Sequence, residues 1–287
     1  MSAVLVGTSH GTDDPAGQAA VRALLDGVRA ARPELDVREA FVDVQQPEVD
    51  EVLAGAVRDA GSGAARGGGS GATSPGGGST AASPGGGSSA ASPDGGPTAV
   101  VVPLLLSTGY HVRHDIAQAV AAVNATGEGV AVAAEPLGPH PLLVDILADR
   151  YAAAEAAHGP FRSDDVVVLA AAGSSVAAAA TAVEEVTSAL AQRLGRPVTP
   201  SYGAGAEPRV PAAVAAARAA GVRGTADASA RVIVVSYLLA PGYFLDRVLE
   251  AGADVVTDPV AGPAGAEKAD PRLVQVVLDR YDAAVSS

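Results

Sequence analysis

Cysteine is absent from the 287 residues. Without a thiol the chain has no disulfide, no thiolate nucleophile and no Cys-ligated zinc or iron-sulfur site, so any metal must be held by His, carboxylate or substrate. Aromatic residues make up 3% of the chain against 48% hydrophobic residues, which leaves Ala, Val and Leu to build the core. Basic residues are also scarce: 19 Lys and Arg stand against 32 Asp and Glu, a formal charge of -13, and they form no block. Phosphate neutralisation needs clustered cations, so no nucleic-acid partner is expected. No apolar run approaches the ~20 residues of a bilayer span, and the amino terminus lacks a basic stretch followed by an apolar one. A soluble cytoplasmic protein without a membrane partner is expected.

What the chain does have is a set of short apolar runs that break into polar turns. Val100 to Leu106 reads as a strand buried on both faces of a parallel sheet. It breaks at Ser107-Thr-Gly109 and delivers Tyr110, His111, Arg113, His114 and Asp115 at its carboxyl end, where open α/β sheets bind ligands. Ala3 to Val6 is a second such strand, followed by Gly7-Thr-Ser-His-Gly-Thr12 and a helix that Asp14 caps, with Pro15 at its first position. If strands one and three lie side by side, as at the switch point of a flavodoxin-like sheet, His10 and His111 become neighbours.

In chain order, apolar residues at helical spacing from Pro15 to Arg32 are followed by a strand from Val37 to Val42 with Asp43 at its tip. A second helix runs from Pro47 through Val57. From Gly61 to Pro97 the composition turns to Gly, Ser, Ala, Thr and Pro, with Ser-Pro-Gly-Gly-Gly-Ser at 74–79 and again at 83–88. Such a tract cannot offset ~1–2 kcal/mol of backbone entropy per residue, so the insert 61–97 is expected to be disordered. Beyond it come a strand, a helix from about His114, a strand at Val130 to Ala134 and a helix from Pro141 to Ala157. His158-Gly159-Pro160 marks a boundary.

The remainder repeats the scheme. Val166 to Ser175 lies over Val4 to Asp13, which puts Ala172 where the first half has His10. Val234 to Phe244 lies over Val101 to His111, which puts Phe244 opposite His111. The offsets, 162 and 133, differ by 29 residues, of the order of the insert, and both imidazoles are missing from the second copy.

His10, His111 and Asp43 form a candidate ligand set for a divalent transition metal, leaving positions open for an ion that is delivered rather than kept. An imidazole freed when the metal departs can accept a proton at neutral pH. Metal insertion into a tetrapyrrole needs that combination, ligand exchange coupled to loss of two pyrrole protons.

Gly7-Thr-Ser-His-Gly-Thr12, Ala40-Phe-Val-Asp-Val-Gln-Gln-Pro47, Val101 to Ile116 and Leu137-Gly-Pro-His-Pro-Leu142 together resemble the class II sirohydrochlorin chelatases, and the second half resembles the degenerate copy of their long members. The resemblance implies insertion of Fe2+ into sirohydrochlorin to give siroheme, or of Co2+ on the route to cobalamin, without ATP. It assigns His10 and His111 as metal ligands and proton acceptors; Asp43 matches a position where many relatives carry Glu. Arg113 is the expected donor to substrate carboxylates, and Leu104, Leu105, Leu106 and Tyr110 the expected apolar wall, with Tyr243 and Phe244 facing them.

The expected architecture is therefore α/β: two tandem flavodoxin-like, chelatase-like domains, each a four-stranded parallel sheet flanked by helices, related by internal duplication. Residues 1–158 carry the metal site and 159–287 the degenerate repeat. No tightly bound cofactor is expected; the partners are the tetrapyrrole and Fe2+ or Co2+, and the chain is a monomer or homodimer. His114 and His140 read as structural, and Asp115 either caps its helix or orients an imidazole. Two other readings remain: a tetrapyrrole or metal carrier without turnover, and a hydrolase using Ser9 and His10, for which no nucleophile elbow is present.

Overall fold

Each short Val- and Ala-rich run forms a strand, and each segment with a helical apolar stripe crosses back over the sheet. In the computed structural model, residues 2–66, 96–107, 109–221 and 230–287 are described, apart from the side chains of 61–66, 110–112 and 221. The first half comprises β1 (Val4–Ser9), α1 (Pro15–Ala31), β2 (Val37–Phe41), α2 (Val49–Arg66), β3 (Ala99–Pro103), α3 (Tyr110–Thr126), β4 (Ala131–Ala133) and α4 (Pro141–His158). The second comprises β5 (Val166–Ala171), α5 (Ala177–Leu194), β6 (Val198–Tyr202), α6 (Val210–Gly221), β7 (Val232–Tyr237), α7 (Tyr243–Leu249), β8 (Val255–Val256) and α8 (Pro271–Val285). Both sheets are parallel and four-stranded, ordered β2-β1-β3-β4 and β6-β5-β7-β8. Strands one and three are adjacent, as expected, with Val4 opposite Ala99.

Local signals explain most element ends. The Asp14 carboxylate accepts from Ala16 N (2.7 Å) and Gly17 N (3.1 Å), so two of the amides left orphaned at the start of α1 are satisfied, and Pro15 takes the first helical position. Helix α3 departs from expectation. It begins at Tyr110, not near His114, because Gly109 is extended at φ -71° and ψ 164° and no proline interrupts the residues that follow. His111 and Arg113 therefore belong to the first helical turn, and with no side-chain cap at this end Asp115 does not cap the helix. The helical backbone of α2 carries on to Arg66, six residues into the Gly/Ser-rich stretch; residues 67–95 of the expected disordered insert lie outside the described residues.

Alternation along the strands divides the core. Val4, Val6, Ala99 and Val101 face α2 and α3, whereas Leu5, Val100 and Val102 face inward. Leu169, Ile233 and Val235 do the same for the second sheet, and Val168, Val232 and Val234 pack under α6 and α7. Between the sheets lies one apolar layer built from α1, α8, α4 and α5.

The final helices are exchanged. α8 packs on β3 and α1 of the first half, and α4 packs on β7 and α5 of the second. Both carry an Asp-Arg-Tyr triplet, Asp149-Arg150-Tyr151 and Asp279-Arg280-Tyr281. Arg280 donates to the carbonyls of Leu137 (3.1 Å) and Pro139 (2.6 Å), while Arg150 donates to Val260 O (3.2 Å). Tyr281 Oη donates to Ala3 O at 2.6 Å. His140 caps α4 through Nδ1, which accepts from Leu142 N, and its Nε2 lies 3.3 Å from Asp279, a structural role of the kind the sequence implied.

Candidate functional site

The carboxyl ends of both sheets open into one cavity of about 790 Å³. The first half contributes Ser9 to Asp14 from the β1–α1 turn and Leu104 to Ser107 beyond β3; the second contributes Ala171 to Gly173 and Tyr237 to Phe244. Two close contacts cross between the halves at its lining. Tyr237 Oη donates to Leu106 O (3.2 Å), and Gly138 allows the approach, since a Cβ there would stand 2.0 Å from the phenol oxygen. Burial pushes the Tyr237 phenol well above its ordinary range, which keeps it a neutral donor. Gly17 in α1 faces Pro241 O, which a Cβ would meet at 2.6 Å.

His10 lies immediately beyond β1, exposed on the cavity wall. Its backbone is laced to the β2 tip: Val42 N donates to Ser9 O (3.0 Å), Asp43 N to His10 O (3.1 Å), and Thr12 N to the Gln45 side chain (2.9 Å). Gly11 is required at this crossing, because at φ 92° a Cβ would sit 2.4 Å from Asp43 O. One Asp43 carboxylate oxygen accepts from Val44 N (2.8 Å); the residue is exposed and is not among those lining the cavity. His10 and Asp43 are thus brought to one place by backbone pairing. The side chains of His111 and Tyr110 lie outside the described residues, and among the described residues no three His, Cys, Asp or Glu groups cluster to hold an ion.

Leu104, Leu105 and Leu106 line the cavity as expected, and so do Tyr243 and Phe244. Arg113 is exposed and is not among the lining residues. His114 is also exposed, beside Gln118 at 2.9 Å. The ionisable acid and imidazole side chains described on the lining are His10, Asp13, Asp14 and Asp246. Acidic groups on the lining favour a cation, while its leucines and aromatic rings offer carbon. Sequence reasoning passed over Val44, which lines the cavity, and Arg247, whose guanidinium lies 5.5 Å from the Tyr243 ring.

The second half rebuilds the same turn without its chemistry. Gly203 N pairs with Ala171 O and Ala204 N with Ala172 O, both at 2.8 Å, as Val42 and Asp43 pair with Ser9 and His10. Ala172 and Ala204 thus replace His10 and Asp43, and the Phe244 ring rests on Gly203, where a Cβ would meet it at 2.7 Å. A left-handed Gly173 stands for Gly11.

These features define a duplicated α/β protein with one cleft site, which carries a histidine on the first half's strand tip and an alanine at the equivalent place in the second. The chain belongs to the CbiX family, whose model matches residues 4–64, 82–154 and 166–283. No curated protein matches the sequence. Among solved structures, SirB from Bacillus subtilis with Fe3+ superposes at a TM-score of 0.70 and 17% identity, covering 100% of this chain and 96% of that chain. The sirohydrochlorin chelatase SirB of Bacillus subtilis subspecies spizizenii, in complex with cobalt, gives 0.64 at 15% identity over the same shares, 100% and 96%. CbiX, described as the terminal enzyme for biosynthesis of siroheme in denitrifying bacteria, gives 0.57 at 18% identity, covering 98% and 99%. Among the described residues no helix is long and apolar enough to cross a membrane.

Proposed function

We propose that this protein is an ATP-independent sirohydrochlorin chelatase that inserts Fe2+ or Co2+ into the metal-free macrocycle on a route to siroheme or cobalamin. The observation that carries the reading is the contrast between the halves around one cavity: the same loop lines it with His10 on one side and with Ala172 on the other, each paired through the backbone to Asp43 and to Ala204. A carrier that only sequesters its ligand has no need of an imidazole on one wall alone. Family membership and the metal-bound relatives support the same reading.

In this reading His10 and His111 hold the incoming ion, with Asp43 supplying an oxygen through the carboxylate atom that Val44 N does not occupy. The macrocycle lies against Leu105, Leu106 and Tyr110, and Arg113 meets a peripheral carboxylate. As pyrrole nitrogens replace the protein ligands, the vacated imidazoles accept the two pyrrole protons and pass them to water, so one M2+ enters and two H+ leave. Both ions suit nitrogen and oxygen donors and lie close together in the divalent affinity order, so supply decides which is inserted.

Absorbance at multiple turnover tests the proposal. With sirohydrochlorin and Fe2+ or Co2+ each in tenfold excess over protein, a chelatase converts the whole pool faster than the protein-free rate. A carrier stops at one equivalent, and that result would sink the reading.

A further inference from the structure

Val44 is the only residue other than glycine with a left-handed backbone among the described residues, at φ 58°. β-Branched side chains avoid that region because Cβ crowds the neighbouring carbonyl. Strain of this kind is ordinarily offset by burial, yet Val44 is 49% exposed. Its side chain lies on the cavity lining, directly after Asp43.

The duplication supplies an internal comparison. Ala204 pairs with Ala172 as Asp43 pairs with His10, so the residue after it, Gly205, occupies the place of Val44. Gly205 has φ 69°. The second half, with no metal-exchanging side chain, forms this turn with the residue that adopts it freely; the first half keeps an isopropyl group there. Gly11 accommodates it, since a Cβ at Gly11 would come within 3.1 Å of Val44 Cβ.

We infer that Val44 is a substrate-contacting residue: its isopropyl group meets the apolar surface of the tetrapyrrole beside His10 and Asp43, and the strain it carries in the free protein is repaid when the macrocycle covers it. The inference rests on the chelatase reading for the identity of the planar ligand. The geometry adds that the metal-exchanging corner is walled by carbon on the β2 side, so water is displaced where nitrogen ligands must replace protein ligands.

The test titrates metal-free sirohydrochlorin onto the full-length wild type, V44G and V44L, following fluorescence, with thermal melts and steady-state kinetics alongside. V44G is expected to bind the tetrapyrrole roughly 5- to 10-fold more weakly, the loss for one or two partly buried methyl groups. Its Tm should equal or exceed that of the wild type. V44L, apolar but not β-branched, should bind like the wild type. Tetrapyrrole affinity of V44G within twofold of wild type would overturn the inference, and so would a fall in its Tm. A wild type that binds the macrocycle without turnover would overturn the chelatase reading and leave this inference intact; a wild type that does not bind it overturns both.

Discussion

Replacing Gly17 by Ala sets a local rule against a tertiary one. Within a helix, Gly→Ala ordinarily stabilises by up to about 1 kcal/mol. Gly17, however, sits in the first turn of α1 against Pro241 of the second half, and its new Cβ would lie 2.6 Å from the Pro241 carbonyl oxygen, a backbone atom with no rotamer to escape into. Contact becomes ordinary at 3.4 Å, so α1 and the 239–242 loop must part by about 0.8 Å. Overpacking of this kind costs about 1–3 kcal/mol, leaving a net loss of up to about 2 kcal/mol and a fall in Tm of up to about 6 °C for a chain of this size. Pro241 also lines the cavity, and misplacement by about 1 Å is worth on the order of 100-fold in rate, so turnover should fall at least tenfold although no metal-exchanging residue is altered. Gly55→Ala in α2 is the control: its Cβ meets nothing nearer than an Arg38 nitrogen at 3.7 Å, and its Tm should rise. Differential scanning calorimetry with an absorbance assay decides the matter. A Gly17→Ala variant that melts higher than wild type, as Gly55→Ala should, would refute the packing of the two halves around the cavity.

Asp165 is buried beneath Arg231, which reaches it with both backbone and side chain, and accepts from Arg162 N at 2.8 Å. Burial would raise its carboxyl, but these hydrogen bonds outweigh burial and hold it below the usual range. Its contribution is therefore present above the unfolded carboxylate's pH of about 4 and is lost as pH falls through the lower folded value; Asp165→Ala should cost about 3 kcal/mol at pH 7 in urea melts. His140 acts in the same sense, at a higher pH. Burial and then Arg280 hold its imidazole below its ordinary value despite Asp279, so the folded chain binds fewer protons than the unfolded one. Stability should fall as pH drops below about 6.5, and His140→Asn, which keeps an acceptor for Leu142 N, should flatten that slope between pH 7.5 and 5.5.

The sequence displayed its strands and its duplication because both depend on local apolar patterns. Val166 over Val4 and Val234 over Val101 predict the register that the sheets adopt. Asp14 and Pro15 carry their cap in their chemistry. The start of α3 was less legible: Gly109 reads equally as a loop residue or an N-cap, and only the backbone distinguishes them. Helix exchange leaves no trace in periodicity, since α4 and α8 bury the same stripe whichever sheet receives it. The repeated Asp-Arg-Tyr triplets were the available signal, and their arginines indeed reach into the other half's loops. Val44 was hidden among polar neighbours, because left-handed backbone at a valine is not written in any pattern.

The account stands most directly on His10, the imidazole that the second half replaces with Ala172. Initial rates of Co2+ insertion into sirohydrochlorin, measured for the full-length wild type and His10→Ala at matched Tm, should differ by at least about 100-fold, the scale of a lost proton acceptor. Equal rates would mean that the histidine-bearing strand tip is not where the chemistry happens.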